Sequence, residues 1–319
     1  MLFVGLACGS WLGGMILKTR RNPSPYILFF VSVTLLVLLL IFIALACPES
    51  NEKVLSGAAS REGARERRGA SSVFRRSLKE IVIGLVSPIS MFIPRKSGDS
   101  PRKDWNITLV GAALFLYLIS IGVYPLKYLY GKHVYSWDTG ELGFFMSLLW
   151  VSRAFNLLVL LPILISYFKP KPKNGEPVSI QSELRFDKIL ASVSLAVDGI
   201  ADALVAIVPS SAQPAFVAFS CLSSFTSGGN PTLHSLGAVC LHAGGYSSEV
   251  GSLFGAMAVL SAIAHVISPT LYATTYGLTV ANFPKAIFVL ATVLLGLAVF
   301  LLSLVRTNRG TNLPSRHPE

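Results

Sequence analysis

Three ionised side chains interrupt stretches that are otherwise apolar: Arg153 within "GFFMSLLWVSRAFNLLVLLPILI", and Asp198 and Asp202 within "ILASVSLAVDGIADALVAIV". A charge at the centre of a membrane helix costs about 2.5 to 3.5 kcal/mol on insertion scales, so such residues are paired with one another or mark the path of an ion or solute. Asp198 and Asp202 stand four residues apart and share one helix face. Counting inward from span ends at residues 142 and 188, Arg153 and Asp198 lie about 16 and 15 Å deep at the α-helical rise, and Asp202 lies about 6 Å further outward. Arg153 and the two acids are therefore expected to meet near the midplane. Two chemistries stay open for them. The set can be a structural ion pair that fixes helix packing, or Arg153 can bind an anionic group while Asp198 or Asp202 exchanges protons. One guanidinium cannot neutralise two carboxylates, which leaves one acid free to trade its proton.

A second polar stretch, "SCLSSFTSGGNPTLHSLG", breaks an apolar run with small and hydroxylated residues before Pro231. Irregular backbone is tolerated at membrane depth only where it is packed in protein or lines a cavity. Ser223, Ser224, Thr226, Asn230 and His234 are thus cavity-lining candidates, with close helix packing through Gly228 and Gly229 as the alternative. His265, four residues before Pro269, is either a further cavity residue or a neutral, hydrogen-bonded histidine. No catalytic machinery is expected. Ser227 with His234 or His265 forms no arrangement of nucleophile, base and oxyanion donors, and no GxxxxGK[ST] phosphate loop occurs. Cys8, Cys47, Cys221 and Cys240 have neither metal-ligand nor disulfide spacing. The chain reads as not an enzyme, with no cofactor and no metal.

These residues must be held by membrane-spanning helices. Of 319 residues, 52% are hydrophobic and 13% charged, with a mean hydropathy of +0.62. Apolar runs of span length fall near residues 2 to 17, 24 to 46, 107 to 130, 142 to 167, 188 to 208, 212 to 241, 250 to 276 and 284 to 305. A hydrocarbon core of about 30 Å takes about 20 helical residues, so eight helices are expected. Segments such as "AIFVLATVLLGLAVFLLSLV" are apolar on every side, unlike the alternating strands of a barrel. The first run lacks a basic segment ahead of it and carries Lys18, Arg20 and Arg21 behind it, unlike a secretory signal.

The net charge of +11 is a topology signal. Twelve Lys and Arg lie between the second and third spans, five follow the fourth and three lie in the tail, against six on the other side. By the positive-inside rule the long loop and both termini are expected to be cytoplasmic. Nothing in the sequence resembles a nucleic-acid-binding motif, and the bilayer is the expected partner of the basic surplus. Within the loop from 47 to 106, Val73, Phe74, Leu78, Ile81, Val82 and Leu85 fall near one helical face, as for an interfacial helix over about 73–87. Asn106-Ile107-Thr108 is a glycosylation sequon, expected to be unmodified on the cytoplasmic side.

Gly5, Gly9, Gly13 and Gly14 in "GLACGSWLGG" form a bare helical stripe suited to close helix packing. The segment resembles the fifth-helix glycine motif GxxxGPxxGG of major facilitator superfamily transporters, with Ser10 in place of the proline. "WDTGELGFFMSLLWVSRAFNLLVLLPILI", "GSLFGAMAVLSAIAHVISPTLYATTYG" and "FPKAIFVLATVLLGLAVFLL" resemble the seventh-to-eighth, eleventh and twelfth helices of fungal members, in tetracycline-resistance-like or proton-coupled folate-type branches. The family's loop signature is degenerate here, as "YFKPKPKNGEP". The resemblance implies an all-α polytopic bundle corresponding to the fifth to twelfth helices, without the first four. Residues 1–46 would be the last two helices of an N-terminal bundle, 47–106 the central cytoplasmic loop, 107–306 a six-helix C-terminal bundle and 307–319 a cytoplasmic tail. The implied function is secondary transport of a small solute by alternating access, with protons as a coupling ion the buried acids allow. The alternative is a truncated, non-transporting remnant that packs with another membrane protein, which would supply the missing helices.

Overall fold

A computed structural model describes residues 2–19, 26–46, 87–96, 103–170, 179–225 and 228–307. Thr226 lies outside these, as does the expected interfacial helix over about 73–87 except for Ser87, which opens a short 3-10 turn, Ser87–Phe92. The described residues are helical apart from loops and a two-residue antiparallel pairing of β1 (Arg95–Lys96) with β2 (Lys103–Asp104). Among the described residues, six helices are long and apolar enough to cross a membrane, as an all-α polytopic bundle requires. The chain divides into two compact units, one of residues 1–15 and 87–319, the other of residues 16–86.

In the smaller unit, helix α2 (Tyr26–Ala46) is apolar on every side except for Ser32 and Thr34. Each returns its hydroxyl to its own helix, to the Leu28 and Phe30 carbonyls at 2.8 Å, so no polar group is presented to hydrocarbon.

In the larger unit α1 (Leu2–Thr19) accompanies the remaining helices as far as Met15. The first long span is two helices in line, α3 (Asn106–Ser120) and α4 (Val123–Val134), broken at Ile121-Gly122. Pro125 has no N–H to offer a preceding carbonyl, so the helix cannot run straight through. Two carbonyls at the break gain donors from another helix: Ser268 Oγ donates to Ile119 O at 2.7 Å, which also accepts from the Gly122 N–H at 3.1 Å, and Tyr272 Oη donates to Ser120 O at 3.2 Å. Gly122 allows this approach, because a Cβ there would collide with Ser268 and Tyr272.

The next span starts from a capping box. Asp138 accepts from the Glu141 backbone N–H at 2.7 Å, and the Glu141 carboxylate accepts from the Asp138 N–H at 2.9 Å. It continues as α5 (Thr139–Phe155), widens into one π turn over Asn156–Leu160, and ends as α6 (Leu161–Phe168). Pro162 follows directly and lacks a donor, and the Leu161 N–H reaches back five residues to the Asn156 carbonyl.

Helices α7 (Ile180–Ile207) and α11 (Ala286–Ser303) pack along their whole length. The stretch expected as one span over 212 to 241 is instead two helices, α8 (Gln213–Phe225) and α9 (Gly229–Ala243). A Cβ on Gly228 would stand 3.2 Å from Leu161, and one on Gly229 3.0 Å from Leu195 and 3.3 Å from Tyr117, closer than ordinary van der Waals contact, so glycine fits there without displacing these side chains. Helix α10 (Val250–Thr279) contains Pro269 and supplies Ser268 and Tyr272 to the break described above. At one end of the unit Asn106 and Arg306 exchange two hydrogen bonds, side-chain amide to backbone, at 2.9 and 3.0 Å. Both ends of the sequon's asparagine side chain are thereby in use. At the other end, Phe216 packs among Tyr130, Tyr135, Phe145 and Phe288 with ring centroids 5.2 to 6.1 Å apart.

Candidate functional site: a buried charge set

Four charged side chains are buried together between α4, α5 and α7. Asp198 and Asp202 project from one face of α7, as their spacing requires. Lys127, 0% exposed, reaches Asp202 from α4 with its Nζ 2.9 Å from Oδ1. Arg153 comes from α5, immediately before the π turn, and lies in the electrostatic field of Asp198. Its guanidinium donates to the Tyr117 hydroxyl of α3. Asp198 Oδ1 is buried and has no hydrogen-bond partner among the described residues.

The set contains one cation that the sequence reading leaves with the loops: Asp202 is paired with Lys127. A span ending near residue 130 assigns Lys127 to the loop charges beyond it, yet the helix continues to Val134 and encloses it. The match becomes legible only with the helix starts of the structure: measured from Asn106 and Ile180, Lys127 and Asp202 lie about 32 and 33 Å along their spans, whereas a span start at 188 sets Asp202 at about 21 Å.

Aromatic side chains surround the cations. The Arg153 guanidinium carbon is 4.2 Å from the Tyr124 ring centroid, 5.5 Å from that of Phe3 and 5.6 Å from that of Trp150. On the same Tyr124 ring the Lys127 ammonium lies 4.9 Å from the centroid, so one tyrosine ring serves both cations. Phe3 stacks on Trp150 and Trp150 on Tyr124, with centroids 5.9 and 6.2 Å apart. The Tyr124 hydroxyl is 3.2 Å from Ser223 Oγ, which ties α8 to the set.

Phe3 arrives on α1, whose packing face is Phe3, Ala7, Ser10 and Gly14 rather than the glycine stripe. Gly14 lies against Gly140 and Gly143 of α5, and a Cβ on Gly143 would stand 2.8 Å from the Ser10 carbonyl oxygen and 2.9 Å from Gly14 Cα. With Phe3 at Trp150 and Gly14 at Gly143, α1 and α5 run antiparallel. Gly5 and Gly9 are exposed with nothing within 4 Å, and Gly13 is half-buried.

The other sequence candidates are scattered. Ser223 and Ser224 are buried, the first on Tyr124 and the second donating to its own helix at Ser220 O, 3.2 Å away. Asn230 is exposed. His234 is half-buried and stacks on Phe254 at 5.8 Å. His265 is exposed, and its Nδ1 lies 2.7 Å from the Ser261 carbonyl of its own helix. Neither histidine is among the groups that contact the charge set. No group of three or more potential metal ligands occurs among the described residues.

No family model matches this chain. It is 27% identical over 186 residues to the major facilitator-type transporter psiT1 of Psilocybe cyanescens, a match covering 57% of this chain and 38% of that protein. It is 24% identical over 171 residues to an uncharacterized membrane protein of Schizosaccharomyces pombe, covering 50% of this chain and 25% of that one. The chain thus spans well under half the length of the curated relatives it matches.

Proposed function

We propose that the chain is part of a secondary transporter that moves a small solute by alternating access, in which Arg153 receives an anionic group and Asp198 carries a proton. The observation that supports this is the unequal treatment of two acids on one helix face. Asp202 is closed off by Lys127, whereas Asp198 keeps a buried oxygen without a hydrogen bond among the described residues. A carboxylate left in that state inside a membrane protein is suited to binding and releasing a proton, because the neutral acid avoids the desolvation of the anion. In this reading residues 107–306 form the C-terminal bundle and residues 1–46 belong to its partner bundle. Both termini and the basic loop face the cytoplasm, as the charge distribution favours.

A second reading is favoured by one observation: Gly5 and Gly9 are bare and exposed on α1. A stripe of that kind invites another helix, so the chain could act only when packed with a further membrane protein. Purified chain in proteoliposomes with an imposed pH gradient separates the two. Uptake of labelled organic anions that is lost in Asp198→Asn supports transport by the chain itself. Absence of flux in correctly inserted protein removes that reading and leaves the second.

A further inference from the structure

The transport reading leaves the solute's chemistry open, and the corner around Arg153 narrows it. Charge comes first. Lys127 and Asp202 form a closed neutral pair, and the two other buried charges of the set, Arg153 and Asp198, balance one another only while Asp198 is ionised. A proton on Asp198 leaves one positive charge, the guanidinium, which a single negative charge balances. A dianion would leave an uncompensated charge in hydrocarbon, and a cation would add to the one already present.

Shape comes second. The guanidinium lies among three rings that follow one another with interplanar angles of 20° and 23°. Tyr124 and Trp150 belong to α4 and α5, but Phe3 sits in the first turn of α1, whose close contact with α5 is at Gly14 and Gly143, three helical turns away. Phe3 can leave Trp150 without unpacking α4 from α5. It exposes in doing so a flat indole face beside the guanidinium.

Resting on the transport reading above, we infer that the site takes flat-ringed organic monoanions, with the carboxylate on Arg153 and the ring against Trp150 in the place Phe3 occupies. Asp198 takes up one proton as the anion binds, so the bound state is neutral overall. Trp150 and Phe3 are then specificity-determining residues: stacking on an indole rewards a planar ring over a puckered one of the same size.

The test uses the purified full chain in lipid nanodiscs and tritiated 2-naphthoate, by equilibrium dialysis. Two competitors isolate the two halves of the inference: trans-decalin-2-carboxylate, with the same charge and no flat ring, and 2-naphthylmethylamine, with the same ring and opposite charge. The expected result is saturable naphthoate binding with uptake of one proton, competition by the decalin acid weaker by roughly three- to tenfold, and no competition by the amine. Trp150→Leu should bring the two acids to equal affinity while keeping both. Phe3→Ala should tighten naphthoate, since it removes the ring that holds the place. Arg153→Gln should lose both acids, and the two ring variants keep the inference testable should that variant fail to fold. Preference for the amine, equal affinity for the two acids in the unaltered chain, or no binding by monodisperse helical protein each overturns it. Binding with this selectivity but no flux in vesicles removes the transport reading alone. Flux of anions without ring preference removes only the present inference.

Discussion

The α7–α11 pair is continuous and fastened at both ends, whereas the spans that face it with the cations are interrupted. Lys188 near the start of α7 donates to the Ser303 and Val305 carbonyls at the end of α11, at 2.9 and 2.7 Å. Lys285, just ahead of α11, donates in turn to the Val208 carbonyl at the end of α7. Each lysine meets the negative end of the neighbouring helix dipole, so the two antiparallel helices cap one another. On the other side, Lys127 lies beyond the break between α3 and α4, and Arg153 lies just before the π turn. The acids ride on a stiff element and the cations on jointed ones. A shift at either joint therefore moves a cation relative to an acid that stays in place, which is how a binding site of this kind can differ between two states.

The largest effect expected from breaking this contrast is at Lys127. Lys127→Met leaves Asp202 buried without its cation and should cost about 3–5 kcal/mol, as removal of one partner of a buried pair does. Lys127→Met combined with Asp202→Leu removes both charges and should recover most of that loss. Chemical unfolding in mixed micelles reads the difference; equal stability of the single and double variants would show that the pair is not held in the membrane.

A middle-sized effect should separate the α1–α5 contact from the lipid-facing side of the stiff pair. Gly143→Leu forces a side chain between α5 and the backbone of α1, where even a Cβ is too close, and should cost about 1–3 kcal/mol by overpacking. Gly296 on α11 has nothing within 4 Å, so Gly296→Leu should change stability by less than about 0.5 kcal/mol. Thermal unfolding of the two variants side by side distinguishes them. A comparable loss at both positions would mean that the substitution, rather than the α1 contact, is responsible.

Most of the helices and their approximate ends can be read from the sequence because they depend only on apolar run length. What cannot be read depends on rotation and on bends. The break at Ile121-Gly122 sits in an apolar run that looks continuous, and its position shows only once Ser268 and Tyr272 are seen to donate to the carbonyls before it. Lys127 is missed for the same reason: a span cut near residue 130 places it with the loop, while a span running to Val134 places it beside Asp202. The glycine spacing in α1 is plain, but spacing defines a stripe without saying which side a neighbour takes. The occupied side is Phe3, Ala7, Ser10 and Gly14. Tyr117, Tyr124 and Trp150 carry no signal in a single sequence, because an aromatic residue in a membrane helix is ordinary until a cation is found over its ring.

The smallest effect gives the sharpest form of the comparison, since the same atom can be deleted on both sides. Tyr272 and Thr292 each donate one hydroxyl to a backbone carbonyl of another helix, Ser120 O at 3.2 Å and Gly199 O at 3.3 Å. Gly199 lies inside the unbroken α7, where its carbonyl also has its helical donor, and the Thr292 hydroxyl has the Phe288 carbonyl of its own helix as a second acceptor at 2.9 Å. Thr292→Val should therefore cost only about 0.6 kcal/mol, the average for an interhelical hydrogen bond in a membrane protein. Ser120 ends α3 at the break, where the following turn and Pro125 interrupt the ladder. Tyr272→Phe should cost about 1–2 kcal/mol, because it withdraws a donor from a buried carbonyl that the helix itself serves poorly. Amide exchange should sharpen the contrast further: Tyr272→Phe should speed exchange on both sides of residues 121–122, while Thr292→Val leaves α7 and α11 protected between their lysine caps. If both variants lose the same stability and exchange rises equally in the two regions, the stiffness of α7–α11 does not come from its unbroken backbone, and the lysines at its ends become the remaining cause.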